Sequence, residues 1–367
     1  MILTVDRQIQ KAGDNVTQCQ AEIINYYSGL DEKRVAEIVS EQCGQAISGC
    51  IAESRLLVEQ RIGDFKSELI SMLSGRPELV SSIKEPSCAD SLGRAAVVAS
   101  KTSKLRDKKM LSELLGKRFS NPTDRHIATG VNKAIDIVDL LTDEELDGLT
   151  IFYAVESYYP TSASISEGLA TLDDLYGKFP IDDLPEGEGW VDNLDIHDAL
   201  RASALSALKK MADLFFERFD GYTVWGIEEG SLEADEARRA IAEAGMPLEI
   251  LMDHELHCGY LRLGICNHGQ IDDYSYVGEA GLVASSANAE QKVVLEEVLS
   301  KSRNEERFEE MKKTFLDKLS EYENIGKVMH WWDNIPLAPR TTVVGKALAD
   351  ANIRRIDPDL PEFDEQW

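Results

Sequence analysis

Positive charge, aromatic side chains and long apolar runs are all in short supply in this chain of 367 residues. Lys and Arg number 39 against 66 Asp and Glu, a net charge of −27. That balance argues against unspecific binding to a nucleic-acid backbone or an anionic membrane, since both reward excess cations. No stretch approaches the roughly 20 apolar residues of a membrane span. The start, Met1-Ile2-Leu3-Thr4-Val5-Asp6, lacks the basic and apolar regions of a signal peptide. A cytoplasmic protein with no membrane partner is expected. Six cysteines, Cys19, Cys43, Cys50, Cys88, Cys258 and Cys266, lie scattered along the chain; reduced thiols are expected in place of a disulfide framework. Neither GxGxxG nor GxSxG appears. Gly345-Lys346 fails as a phosphate loop, because Arg340 occupies the place of the first glycine and Ala347 that of the Ser or Thr. Carboxylates are too abundant for any pair to be singled out as acid and base. No catalytic or cofactor-binding residue is therefore assigned, and no repeat of solenoid length is present.

What is present is 43% apolar residues on a chain long enough for two or three domains, at roughly 100–200 residues each. Packed cores are expected, not disorder. The patterning is that of a mainly α protein. Residues 1–29 read as a short β-strand leader: Gln8 to Gln20 alternates around a turn at Gly13-Asp14-Asn15. Such a pair of polar strands is marginal alone, so it either stacks on copies from other subunits or frays. In the stacked arrangement Ile9, Gly13, Asp14, Asn15 and Val16 are the oligomerisation residues. Residues 30–76 form a long amphipathic helix, with Val35, Ile38, Val39, Ile47, Ile51, Leu57, Val58, Ile62, Phe65, Leu69 and Ile70 mostly three and four apart. Gly75-Arg76-Pro77 stops it, and Gly44 and Gly49 invite a break or bend.

Residues 77–180 read as a helical domain with helices over 88–100, 104–115 and 124–141, and a capping box at Thr142-Asp143-Glu144-Glu145. After a loop at 177–193, residues 194–357 read as a helical, winged-helix-like domain. Its helices are expected over 195–219, 233–244, 248–263, 290–323 and 342–353, with a strand at 274–277. Residues 358–367 form an acidic tail.

Charge is unevenly placed. Residues 141–200 hold fifteen Asp and Glu against Lys178 alone, while 101–126 has a net charge of +5. Two solvated faces would explain this, as would complementary faces that draw subunits or domains together. In the second case Lys101, Lys104, Arg106, Lys108, Lys109, Lys117, Arg118 and Arg125 form a basic contact patch. Without interleaved aromatics it suits a protein partner better than a nucleic acid.

The densest chemical cluster is Asp253-His254-Glu255-Leu256-His257-Cys258, followed by Cys266 and His268. Four of His254, His257, Cys258, Cys266 and His268 could complete a tetrahedral zinc site. On a helix over 248–263, His254 and His257 would share a face. The spacing matches no standard finger and is one residue short of HExxH, and Leu251, Leu261, Leu263 and Ile265 would equally form a core with Cys266 buried beside them.

Three stretches carry a family resemblance: Lys11-Ala12-Gly13-Asp14-Asn15-Val16-Thr17-Gln18; the set Glu85-Pro86-Ser87-Cys88, Met110-Leu111-Ser112-Glu113-Leu114-Leu115 and Leu141-Thr142-Asp143-Glu144-Glu145-Leu146; and Val343 to Ile353. The chain resembles an uncharacterised bacterial family with an "AGDNS" leader, scattered among mobile or defence-type gene neighbourhoods. Val16 stands where the usual leader has serine. The resemblance implies a helical body, an oligomerising leader and a role in anti-phage defence, and it supplies no catalytic residue. The expected function is a homo-oligomeric scaffold or sensor acting through protein contacts. The alternatives are a metal-dependent hydrolase or nuclease built on the histidine-cysteine cluster, and a nucleic-acid-binding winged-helix protein.

Overall fold

The computed structural model describes residues 32–203, 206–277 and 284–360, with side chains from residue 53 onward. The strand leader, with Ile9, Gly13, Asp14, Asn15 and Val16, and residues 361–367 of the tail lie outside the described residues. The described residues divide into two units between Arg61 and Ile62. The described part of the first is the front of helix α1 (Glu32–Gly75), which Gly44 and Gly49 do not interrupt. Each glycine costs a helix interior about 0.5–1 kcal/mol, a loss that a helix of 44 residues absorbs. It ends where Arg76-Pro77 requires, and Pro77 opens a 3-10 turn. The expected buried face is realised at Phe65 and Leu69, whereas Leu56, Leu57, Val58 and Ile70 are exposed.

The second unit continues through α2 (Pro86–Lys101), α3 (Leu105–Ser120), α4 (Arg125–Ile137), α5 (Asp143–Ser157), α6 (Ile165–Gly177) and α7 (Gly189–Ile196). Next come β1 (Leu200–Ser203), α8 (Met211–Arg218), β2 (Ile227–Glu228), α9 (Leu232–Glu243), β3 (Leu251–Asp253), β4 (Tyr260–Leu263), β5 (Ser275–Val277) and β6 (Ala284–Ser286). The chain closes with α10 (Ala289–Lys301), α11 (Phe308–Leu319), α12 (Glu323–Asp333), β7 (Ala338–Thr341) and α13 (Val343–Ile356). The protein is mainly helical, as the patterning predicts.

Helix α13 sits among α3, α4 and α5. Its Ala347, Ala349 and Ala351 are buried along with Leu348 and Ile353. Small residues on several faces let neighbouring helices approach a central one closely. This closing helix therefore belongs to the same core as the residues of 77–180, and β1 pairs antiparallel with β7, Leu200 opposite Thr341. The capping box of α5 has both arms: Glu145 N–H donates to Thr142 Oγ1 at 3.2 Å and Thr142 N–H to the Glu145 carboxylate at 2.8 Å.

Three expected helices are corrected. The span 195–219 breaks because the chain turns at Asp198 with φ of +60° and Leu200 enters the β1–β7 pair. The span 290–323 divides into α10, α11 and α12, with Ser302 ending α10 and the Asn304 side chain accepting the Glu306 N–H; such side chains compete with helical backbone bonds. The span 248–263 is not a helix but a 3-10 turn followed by β3 and β4, joined by a turn that closes at Gly259 with φ of +81°. Leu261, Leu263 and Ile265 are spaced by two, the period of a strand. With that helix gone, the helix–helix–strand order expected of a winged-helix-like unit is not what folds. In its place an antiparallel sheet ordered β2-β4-β3 packs with α9 and α10 around Ile241, Leu263, Leu295 and Val298.

Candidate functional site

The histidine-cysteine cluster falls on the turn between β3 and β4, and each polar group there pins the backbone. His254 is 3% exposed. Its Nδ1 accepts the Leu256 N–H at 3.1 Å, so Nε2 carries the proton and donates to Val224 O at 2.8 Å. Both ring nitrogens are thus committed, and no lone pair is left for a metal. Glu255 accepts the N–H groups of Ile165 and Ser166 at 2.7 and 2.9 Å, closing the open first turn of α6. His257 donates from Nδ1 to Trp225 O at 2.9 Å and stacks on Tyr260 with centroids 3.6 Å apart. Cys258 is exposed and Cys266 buried, and burial pushes the Cys266 thiol up to about 12. His268 is exposed and faces Glu296 at 2.6 Å. Among the described residues, no group of three or more His, Cys, Asp and Glu is placed to hold a metal ion. The five candidate ligands do not converge, which corrects the tetrahedral arrangement that the spacing allows.

Burial drives the His254 imidazole from 6.5 down to about 4. Between those values the unfolded chain binds a proton that the folded chain refuses. His254's contribution is therefore complete above the unfolded value and is lost as the pH falls through the window. The expected loss is about 2 kcal/mol near pH 5. Urea unfolding at about pH 7.5 and about pH 5 should show His254→Gln losing less stability on acidification than the natural chain. Equal losses would contradict this role for His254.

Residues of the basic patch are largely paired inside the fold. Lys101 lies 3.9 Å from Asp139, Lys104 2.8 Å from Asp143, and Lys117 3.8 Å from Asp350. Arg106 meets Asp143 at 3.3 Å and Asp147 at 2.5 Å. Lys108, itself buried, reaches Asp64 at 2.7 Å, and buried Arg118 donates to Asn121 O and Ser87 Oγ. Lys109 and Arg125 are exposed. A hydrogen bond from Lys104 holds the Asp143 carboxyl below its ordinary value. The two oppositely charged stretches thus meet within one chain; of the patch, Lys108 and Arg118 are buried while Lys101, Lys104, Lys109 and Arg125 lie at the surface.

Two other features were not singled out from the sequence. Arg262, at the centre of β4, is fully buried; it donates to Leu263 O, Ile265 O and Ala163 O, and lies over the Tyr222 ring at 5.3 Å. Burial holds its guanidinium below the usual arginine value. The second feature is a pocket of about 610 Å³ between the 181–190 segment and α12, whose lining includes Trp190 and Trp331, both buried. These rings lie 5.7 Å apart at 36°, and Trp331 Nε1 donates to Pro185 O at 2.8 Å. In the first unit the notable surface is on α1. Residues 53–60 are all exposed, including Leu56 at 67%, Leu57 at 50% and Val58 at 37%. No helix among the described residues is long and apolar enough to cross a membrane.

No curated protein and no solved structure matches the chain. The model of one uncharacterised family, described as ":-like", matches residues 29–361, and the chain belongs to that family.

Proposed function

We propose that this chain is a homo-oligomeric scaffold or sensor that works through protein–protein contacts, in a bacterial anti-phage role of the kind its resemblance implies. The observation that carries the reading is the exposed apolar surface of α1. Helices are held in water chiefly by packing an apolar face, not by propensity. Burying a fully exposed Leu or Val side chain stabilises by about 1.5–3 kcal/mol; Leu56, Leu57 and Val58, at 67%, 50% and 37% exposure and successive around the helix, each offer a fraction of that to an association. A second copy of the same helix offers the same surface, and like patches close under two-fold symmetry. The charge composition supports association with protein over nucleic acid, because the basic residues are largely engaged by neighbouring carboxylates. Sedimentation of the full chain beside the Leu56→Asp, Leu57→Asp double variant tests the reading. The variant should lose assembly and keep the helical circular dichroism of the body; unchanged sedimentation would remove α1 as the contact.

A further inference from the structure

The side of α1 opposite the buried Phe65 and Leu69 carries a regularity of its own. At about 100° per residue, Leu56, Gly63, Ser67 and Ile70 fall within about 60° of one another there, on one uninterrupted helix. Leu56 and Ile70 are 67% and 64% exposed, and Gly63 lies midway between them in the sequence. Nothing among the described residues calls for glycine at this place: a Cβ on Gly63 would meet nothing within 4 Å, and glycine weakens a helix interior. The Ser67 hydroxyl is turned back onto its own helix, donating to Gly63 O at 3.1 Å. The middle of this face is therefore low, with a large apolar side chain at either end. Glu59 and Lys66 border it on one flank, both exposed and in no ion pair among the described residues.

The face is complementary to itself in one orientation. A second α1 laid antiparallel, with the two-fold axis at Gly63, sets Leu56 against Ile70 of the second copy. It brings Gly63 to Gly63, where the absence of side chains lets two helices approach, and Glu59 beside Lys66 of the second copy. Every contact off the axis is made twice. In a parallel pair the apolar residues still meet, but Glu59 and Lys66 of the two copies fall on opposite sides of the seam.

We propose that two copies of the chain cross antiparallel at Gly63, with the Leu56–Ile70 and Glu59–Lys66 contacts made reciprocally. The proposal rests on the assembly reading, to which it adds orientation and register. Sedimentation equilibrium of the full chain tests it through charge. Glu59→Lys sets like charges against each other at both ends of the crossing and should raise the dissociation constant roughly fivefold or more. Lys66→Glu should do the same, and the Glu59→Lys, Lys66→Glu double variant should return to within about twofold of the natural chain. Glu233→Lys on α9 makes the same change of net charge as Glu59→Lys and should leave association within about twofold. Gly63→Gln points into open space in the single chain; it should keep the helical circular dichroism and weaken association about tenfold or more by holding the helices apart. Association that withstands all three single substitutions on α1, or a double variant no better than its parents, would overturn the crossing and leave assembly standing. A natural chain that is monomeric throughout would overturn both, and would turn this face toward a partner other than a second copy.

Discussion

Arg262→Ala should destabilise the second unit by roughly 3–5 kcal/mol, the range for removing one member of a buried polar arrangement. The side chain is fully buried in β4 with no carboxylate paired to it among the described residues; its guanidinium is held by three carbonyl oxygens and the Tyr222 ring. Two of those carbonyls, Leu263 and Ile265, belong to β4 and the segment after it, and the third, Ala163, to the loop that leads into α6. Truncation to alanine removes every donor at once, leaves the Ala163 and Ile265 carbonyls without that donor while Leu263 O keeps the Ile265 N–H, and opens a cavity. Arg262→Lys should recover part of the loss, because an ammonium can satisfy some of the carbonyls but cannot span them as a planar fork does. Urea unfolding followed by circular dichroism measures both. A loss under about 1 kcal/mol for the alanine variant would mean that water replaces the guanidinium and that the residue does not tie β4 to the start of α6.

The next largest effect is expected at Gly345. A Cβ on this residue would lie 2.1 Å from Ala199 O and 3.0 Å from the Ala199 carbonyl carbon. That carbonyl is not free to move aside: it accepts the Thr342 N–H at 3.1 Å and the Thr342 hydroxyl at 3.0 Å, the contacts that start α13. Gly345→Ala must displace either α13 or the entry to β1, at a cost of about 3 kcal/mol. Gly326 on α12 is the control, since a Cβ there meets nothing within 4 Å. Gly326→Ala should stabilise by about 0.5–1 kcal/mol through the unfolded chain. If both variants unfolded alike, close packing of α13 against Ala199 would be wrong. The glycine that sits in an apparent Gly-Lys phosphate motif is thus explained by backbone proximity.

Local signals were legible in the sequence, and relations between distant segments were not. The stop of α1 at Gly75-Arg76-Pro77, the Thr142–Glu145 capping box and the span of α13 all follow from residues within one or two turns of each other. β3 and β4 were missed because a short apolar run serves helix or strand equally; the spacing by two of Leu261, Leu263 and Ile265, with glycines on both sides, was the signal for strand. The β1–β7 pair joins residues far apart along the chain, Leu200 with Thr341 and Ser203 with Ala338, and leaves no local trace. At the candidate sites the residue types were visible but their engagements were not. His254 looks like a ligand in one dimension and proves to hold the β3–β4 turn to Val224, while Glu255 beside it holds the turn to α6. Lys104 and Arg106 look like a free basic surface until the fold brings Asp143 and Asp147 to them. Arg262 gave no warning, because arginine is almost never fully buried.

The mass of the full chain in solution tests the central claim most directly. Sedimentation equilibrium over a range of micromolar concentrations should give a homo-oligomer whose mass falls to that of one chain in the Leu56→Asp, Leu57→Asp variant, with the body still folded. A full-length chain that stays monomeric throughout that range would contradict the account.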